Sequence, residues 1–149
     1  MKKILAYMDL CCFNRPFDDQ SSRYTYLETE AKLFIQDLVR IRKIDIVWSY
    51  VLDFENSANP DADVRDAISK WKKISICTIA ESDEIVDRAE RFHRIGLGIK
   101  DSLHISCAVE AKAKHFITTD KGIVRKKKLI QEINLLNPIE FIEYEEYKK

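Results

Sequence analysis

The feature that most constrains the fold of this chain is the regular alternation of short apolar segments with longer amphipathic ones. The short segments are rich in β-branched and aromatic residues, which is typical of buried strands, whereas the segments between them repeat apolar residues at steps of three and four, as helices do. The predicted strands are residues 4–8, 44–48, 74–79, 115–119 and 133–136. Strands that alternate with helices predict a central, mainly parallel sheet between two helical layers, a three-layer α/β/α fold.

Capping residues mark where the helices begin and end. Three serines precede apolar stripes and predict helix starts: Ser22, Ser49 and Ser82. Gly96 predicts the end of the helix that the last of them begins. At 59–60 and again at 137–138, the dipeptide Asn-Pro places a capping residue before a proline suited to the first helical position. A helix rich in small residues is predicted over 99–113.

Length and composition favour a folded domain without a strong electrostatic field. The chain has 149 residues, 46% of them hydrophobic and 34% charged, with three glycines and three prolines. These values exclude collagen-like and wholly disordered chains and predict one domain over residues 1–149. Because 25 basic residues balance 25 acidic ones, no net charge would steer the protein to nucleic acid or to anionic lipid. Any such partner must be bound locally.

The cysteines and the apolar runs indicate a cytoplasmic protein. Four cysteines include the adjacent pair Cys11 and Cys12 but no C-x-x-C spacing, so neither a zinc knuckle nor a disulfide framework is predicted. We expect reduced thiols. No apolar run approaches the roughly 20 residues that cross a bilayer, and the apolar stretch at 4–8 is too short for a signal peptide. No membrane association is expected.

Four carboxylates are predicted to meet at one edge of the sheet. Asp9 and Asp120 each follow a strand, Asp101 lies in the first turn of the helix before the second of those strands, and Glu55 lies on the short helix after residue 48. Two like charges 4 Å apart repel by roughly 4 kcal/mol at an effective dielectric of about 20. Such a cluster must stay spread out, take up protons or bind a cation. Mg²⁺ or Mn²⁺, which can activate water against a phosphodiester, suits a site made of carboxylates. Alternatively, an aspartate that follows a strand begins a turn or caps a helix.

The same carboxylates lie in four segments whose order and spacing are typical of one family. The segments are Asp9 with NRPFDDQ at 14–20, Ser49 with Glu55, KDSLHI at 100–105, and FITTD at 116–120. Together they resemble a PIN domain, and the resemblance covers essentially the whole chain. The pairing of KDSLHI with FITTD is the most specific part of it.

The resemblance implies a metal-dependent ribonuclease that hydrolyses RNA at a site built from acids. Asp9, Asp101 and Asp120 would ligate Mg²⁺ or Mn²⁺, and Glu55 would orient water or help to hold the cation. Many small members resemble this chain and are toxins of toxin–antitoxin pairs. The resemblance therefore also implies an antitoxin protein as a partner, and a homodimer as the assembly.

Basic residues near the predicted site are candidates for binding RNA. Arg15 lies in the loop after the first strand, and the densest basic run, which includes Lys121 and Arg125, begins directly after Asp120. Either group could contact a phosphate. The other interpretation is an ion pair within the loop for Arg15 and a solvated surface for the basic run.

Two other classes of function stay open on the sequence alone. Leu10 and Cys11 stand where PIN domains usually carry small polar residues, and Lys121 stands where a further acid often follows; these departures favour a non-catalytic PIN-like module that binds RNA or protein. A receiver-like phosphoryl-transfer domain also gathers acids at strand ends, but it needs a phosphoacceptor aspartate where this chain has Trp48 and Thr78. His104 shares a helix face with Asp101 and is either a site residue or a structural histidine.

Overall fold

The computed structural model describes residues 3–14 and 22–147, and its strands form one five-stranded sheet. The strands are β1 (Ile4–Met8), β2 (Ile44–Ser49), β3 (Cys77–Ile79), β4 (His115–Ile117) and β5 (Asn134–Leu136). They lie in the order β3-β2-β1-β4-β5, and every pairing among them is parallel. The three-layer α/β class predicted from the alternation of segments is therefore confirmed.

Helices connect the strands and cover the sheet. They are α1 (Leu10–Asn14), α2 (Arg23–Arg40), α3 (Tyr50–Ser57), α4 (Ala62–Ile74), α5 (Asp83–Arg94), α6 (Ile99–Glu110), α7 (Lys121–Val124) and α8 (Pro138–Tyr147). Within the helical layers α5 packs on α6 and α2 packs on α8. No helix among the described residues is long and apolar enough to cross a membrane.

The three serine caps are confirmed, and one of the two Asn-Pro signals is wrong by two residues. The side chains of Ser22, Ser49 and Ser82 each accept a hydrogen bond from a backbone N–H in the first turn of α2, α3 and α5. Helix α4, however, is capped by Asp61, whose carboxylate accepts from two backbone N–H groups while Asn59 Oδ1 accepts from Asp61 N. At the second signal, Pro138 does begin α8, and Asn137 Oδ1 accepts from Glu140 N at 2.7 Å.

Several predicted elements are shorter in the structure. The strand predicted over 74–79 begins only at Cys77, because Ile74 is the last residue of α4. The strand predicted over 115–119 ends at Ile117, and the helix predicted over 99–113 ends at Glu110. The short helices α1 and α7 were not predicted. Helix α1 follows β1 after Asp9, and α7 follows β4 after residues 118–120, so each begins directly after an acid of the predicted site.

The central strand β1 lies in the middle of the core and leads to that edge. Tyr7 and Met8 are buried, and the Tyr7 ring stacks on Phe116 of β4 with centroids 5.3 Å apart. Trp48 of β2 is buried on the other side of β1. Because β1, β2 and β4 are parallel and adjacent, their carboxyl ends open onto the same edge, and this edge positions the candidate site.

Candidate active site

Asp9 follows β1 directly and is a buried carboxylate held by two side chains. Its exposed fraction is 6%. The Thr118 hydroxyl donates to Oδ2 at 2.6 Å, and the Cys11 thiol donates to Oδ1 at 2.6 Å. Burial raises the pKa of Asp9 well above its ordinary value, although the hydrogen bond from Thr118 acts in the opposite direction. A neighbouring positive charge would favour the ionised form of this group.

Thr118 and Thr119 link the segment of Asp9 to that of Asp120. The Thr118 hydroxyl also accepts a hydrogen bond from the backbone N–H of Asp120 at 3.0 Å. The Cys11 sulfur accepts one from the backbone N–H of Thr119 at 3.3 Å. Two segments that lie far apart in the chain are thus joined at the sheet edge by side chains as well as by strand pairing.

Asp120 caps α7 and remains exposed at the same edge. Its Oδ1 atom accepts from Gly122 N at 2.8 Å and, more weakly, from Ile123 N at 3.4 Å. A Cβ atom on Gly122 would lie 3.1 Å from that oxygen, so glycine leaves room for the carboxylate. Oδ1 of Asp120 therefore caps the helix, as one interpretation of the sequence predicted, and the side chain as a whole is exposed to solvent.

Asp101 lies in the first turn of α6, where the negative charges of other acids affect its pKa. Its carboxylate is half-buried beside Gly98. Burial raises the pKa of Asp101, the negative charges of Asp120 and Glu55 raise it further, and the charge of His104 opposes them. Since these charges act on one carboxyl group, the fold brings Asp101, Asp120 and Glu55 into one electrostatic neighbourhood.

Glu55 reaches the edge from α3 and is paired with a buried histidine. His104 Nε2 and Glu55 Oε1 are in hydrogen-bond contact, and Lys100 Nζ lies 3.9 Å from Oε2. Burial would raise the pKa of Glu55, but the hydrogen bond and charge of His104, together with Lys100, hold it below its usual range. Glu55 is therefore ionised at neutral pH.

We refer to Asp9, Glu55, Asp101 and Asp120 as the acid cluster. Among the described residues, the group whose potential metal-ligating atoms all lie within 4.8 Å of one another is Asp9, Cys11 and Cys12. The carboxylate oxygens of Asp9, Asp101 and Asp120 do not all lie within that distance of one another. A cation would therefore be bound partly through water, or the carboxylates would move closer together when it binds. Sequence reasoning did not assign the thiols a role in binding, although Cys11 follows Asp9 by only two residues.

Of the three residues predicted to bind phosphate, Lys121 and Arg125 are among the described residues and Arg15 is not. Lys121 and Arg125 are exposed and line a shallow cavity of about 290 Å³. The Lys121 ammonium group lies 4.7 Å from the centre of the Tyr24 ring, which orients it as a cation–π contact. Arg15 lies outside the described residues, and its contact with a phosphate stays a prediction.

The comparisons with known proteins bear on the fold. No protein-family model matches the chain, and no curated protein sequence matches it. Among solved structures, the chain is similar to a chain in the crystal structure of VapBC2 from Rickettsia felis bound to a DNA fragment from their promoter. The TM-score is 0.53 at 14% identity, and the match covers 90% of this chain and 98% of the other. The fold is thus PIN-like, as the sequence motifs implied.

Proposed function

We propose that this chain is a divalent-cation-dependent endoribonuclease that hydrolyses RNA phosphodiester bonds at the acid cluster. The observation that carries the proposal is the Thr118 hydroxyl, which donates to Asp9 Oδ2 and accepts from the Asp120 backbone N–H, and so joins two of the acids at the sheet edge. The pKa of Asp101, which burial and the negative charges of Asp120 and Glu55 raise, supports it. Like charges gathered at the carboxyl ends of parallel strands repel one another, and a bound divalent cation would offset that repulsion. The PIN-like fold supports the same conclusion.

The donors of the acid cluster fit a hard divalent cation. Asp9, Asp101 and Asp120 offer carboxylate oxygens, the ligands that Mg²⁺ and Mn²⁺ prefer. The Cys11 thiol beside Asp9 adds a softer donor, which favours Mn²⁺ over Mg²⁺. When bound, the cation would lower the pKa of water and stabilise negative charge on the phosphate oxygens.

The remaining site residues would act on the water and on the RNA. Glu55 is ionised and partly exposed, so it can orient the attacking water as a hydrogen-bond acceptor or help to hold the cation. Lys121 and Arg125 lie beside Asp120 and would bind the phosphates that flank the scissile bond.

The proposal is tested first by calorimetry with Mn²⁺ and Mg²⁺. We expect the wild type to bind the cation and the Asp9→Asn/Asp101→Asn variant to lose binding, because two anionic ligands are removed. Circular dichroism verifies that the variant is folded. Glu84→Gln is the matched control, since it removes an exposed carboxylate of α5 that is not among the charges shifting the pKa of Asp9, Glu55 or Asp101. Equal binding by wild type and double variant would contradict the proposed ligands.

RNA cleavage is the decisive readout. Asp9→Asn and Asp101→Asn, made singly, are expected to lower the rate of Mn²⁺-dependent cleavage of single-stranded RNA by about 100-fold or more, because each removes charge that holds the cation. Glu84→Gln should cleave at the wild-type rate. Full activity in both aspartate variants, with the fold intact, would overturn the assignment.

A non-catalytic RNA- or protein-binding module is the second candidate, and one contact favours it. The Cys11 thiol occupies Asp9 Oδ1 at 2.6 Å, so one oxygen of the most buried acid is already bound within the chain. Cys11→Ser tests this alternative, since a hydroxyl is a smaller and harder group. If neither wild type nor Cys11→Ser binds Mn²⁺, the non-catalytic function becomes the better explanation.

We also propose that the ribonuclease is silenced by an antitoxin protein. The support is the similarity to a chain from the VapBC2 structure. Expression of the wild type alone should then arrest bacterial growth, whereas expression of Asp9→Asn should not. Equal growth of both strains, with both proteins present in comparable amounts, would contradict a toxin function. A homodimer in the cytoplasm, as the sequence predicts, remains a prediction that sedimentation of the purified protein can test.

A further inference from the structure

A chain of buried polar side chains connects the central strand to Glu55. Tyr7 Oη lies 2.6 Å from Ser49 Oγ and 2.6 Å from His104 Nδ1. The opposite ring nitrogen of the same histidine, Nε2, contacts Glu55 Oε1. Tyr7, Ser49 and His104 are almost completely buried, with exposed fractions of 0%, 0% and 3%. The mechanism proposed above uses only the last member of this chain.

Hydrogen-bond chemistry fixes the direction of the contact between His104 and Glu55. An ionised Glu55 can only accept, so His104 Nε2 must carry a hydrogen. A neutral imidazole then accepts from Tyr7 at Nδ1, whereas an imidazolium donates from Nδ1 to Tyr7 Oη, and Nε2 donates to Glu55 in both forms. The Tyr7 and Ser49 hydroxyls share the third hydrogen bond, and the Ser49 oxygen also accepts from Leu52 N.

Tyr7 therefore holds helix α3 at two points. Ser49 caps the first turn of α3, and Glu55 lies near the end of that helix. The Tyr7 hydroxyl contacts the cap directly and reaches Glu55 through His104. Tyr7 is on β1, the strand that leads to Asp9. The same strand therefore fixes the position of Asp9 and, through Tyr7 and His104, the orientation of Glu55.

We propose that Tyr7 and His104 are positioning residues, which hold Glu55 Oε1 through His104 Nε2–H so that Oε2 faces the attacking water. This inference rests on the proposed ribonuclease function. It assigns the histidine of the KDSLHI segment to the site, where a structural role was the other interpretation. Neither residue touches the RNA, so their effect is expected on kcat and not on KM.

Three variants separate positioning from packing. Tyr7→Phe retains the ring that stacks on Phe116 and removes only the hydroxyl. His104→Gln retains an N–H donor that can reach Glu55, and His104→Leu retains none. We expect kcat to fall about tenfold for Tyr7→Phe and about 100-fold for His104→Leu, with KM within about twofold, and His104→Gln to recover most of the loss. Tyr26→Phe, on the exposed face of α2, is the matched control.

Nuclear magnetic resonance gives a readout that does not depend on activity. The chain has three histidines, so the imidazole nitrogens of His104 can be assigned from the signals that His104→Gln removes. We expect Nε2 to carry hydrogen, either as the neutral Nε2–H tautomer or as the imidazolium. A bare Nε2 would overturn the inference, as would wild-type kcat in folded Tyr7→Phe together with either histidine variant.

The outcomes distinguish this inference from the function on which it rests. If the wild type cleaves RNA and Asp9→Asn does not, the ribonuclease function stands, and Tyr7→Phe and His104→Gln decide the positioning role even if His104→Leu fails to fold. If the wild type cleaves no better than Asp9→Asn, the ribonuclease function fails and the positioning role fails with it.

Discussion

At the scale of single residues, Thr118 is the side chain on which the acid cluster most directly depends. Its buried hydroxyl donates to Asp9 Oδ2 and accepts from Asp120 N. Thr118→Val keeps the shape and removes both hydrogen bonds, and it leaves a buried carboxylate with one donor fewer. We expect it to lower the free energy of unfolding by about 1–3 kcal/mol and to weaken Mn²⁺ binding. Urea denaturation and calorimetry measure the two effects.

Thr118→Ser is the control for that prediction, because it restores the hydroxyl at the expense of one methyl group. It should recover most of the cation affinity. A Thr118→Val protein as stable as the wild type, with unchanged Mn²⁺ binding, would show that the Cys11 thiol alone suffices to hold Asp9.

Asp101 gives the site a pH dependence of stability whose sign follows from its raised pKa. Between the unfolded-state pKa of about 3.9 and the higher folded-state pKa, the unfolded chain has lost its proton while the folded chain retains it, so stability falls as pH rises. Asp101→Asn removes this loss. In EDTA the variant should be more stable than the wild type near pH 8, and the difference should shrink toward pH 4. A difference that is independent of pH would contradict this prediction.

The acids themselves were predictable from the sequence, but their hydrogen-bond partners were not. Asp9 and Asp120 follow apolar strands, and parallel strands bring their carboxyl ends to one edge, so local patterns sufficed. The contacts from Tyr7 to His104 and from Thr118 to Asp9 join residues 97 and 109 positions apart. Such pairs depend on the register between strands and on how α6 lies against the sheet, which periodicity does not specify.

At the scale of elements, Asp120 caps helix α7 and is also a proposed ligand of the cation. Two substitutions separate these roles. Asp120→Asn retains an oxygen that can cap α7 and loses the charge, whereas Asp120→Ala loses both. We expect the asparagine variant to remain within about 0.5 kcal/mol of the wild type and the alanine variant to lose about 1 kcal/mol. Both should lose RNA cleavage. An asparagine variant that still cleaves at the wild-type rate would leave Asp120 with the capping role alone.

The element boundaries show where sequence patterns are reliable. The serine caps of α2, α3 and α5 were predicted correctly because the hydroxyl acts within one helical turn. The cap of α4 was misplaced because Asn59 and Asp61 are both good capping residues, and the two compete within three positions. The edge strand β3 was predicted too long, since the apolar residue Ile74 extends the helix before it instead.

At the scale of the whole molecule, a bound cation should stabilise the entire fold, because its ligands come from segments on several elements. At 100 times the dissociation constant, the free energy of unfolding should rise by about 2.7 kcal/mol. Thermal melts of the wild type should shift upward with added Mn²⁺, and those of the Asp9→Asn/Asp101→Asn variant should not. Equal shifts would indicate binding elsewhere on the protein.

The strand order also sets when the acid cluster can exist during synthesis. Strand β1 emerges from the ribosome first, yet its neighbour β4 and the Thr118 donor to Asp9 follow 109 residues behind, which is about 5–20 s at ordinary translation rates. During that interval the edge of β1 that pairs with β4 is unpaired. Asp9, Glu55 and Asp101 have been synthesised, but the segment that contains Thr118 and Asp120 has not. If the proposed ribonuclease function is correct, the nascent chain cannot cleave RNA at this site until the segment that carries Thr118 and Asp120 has been synthesised and has paired with β1.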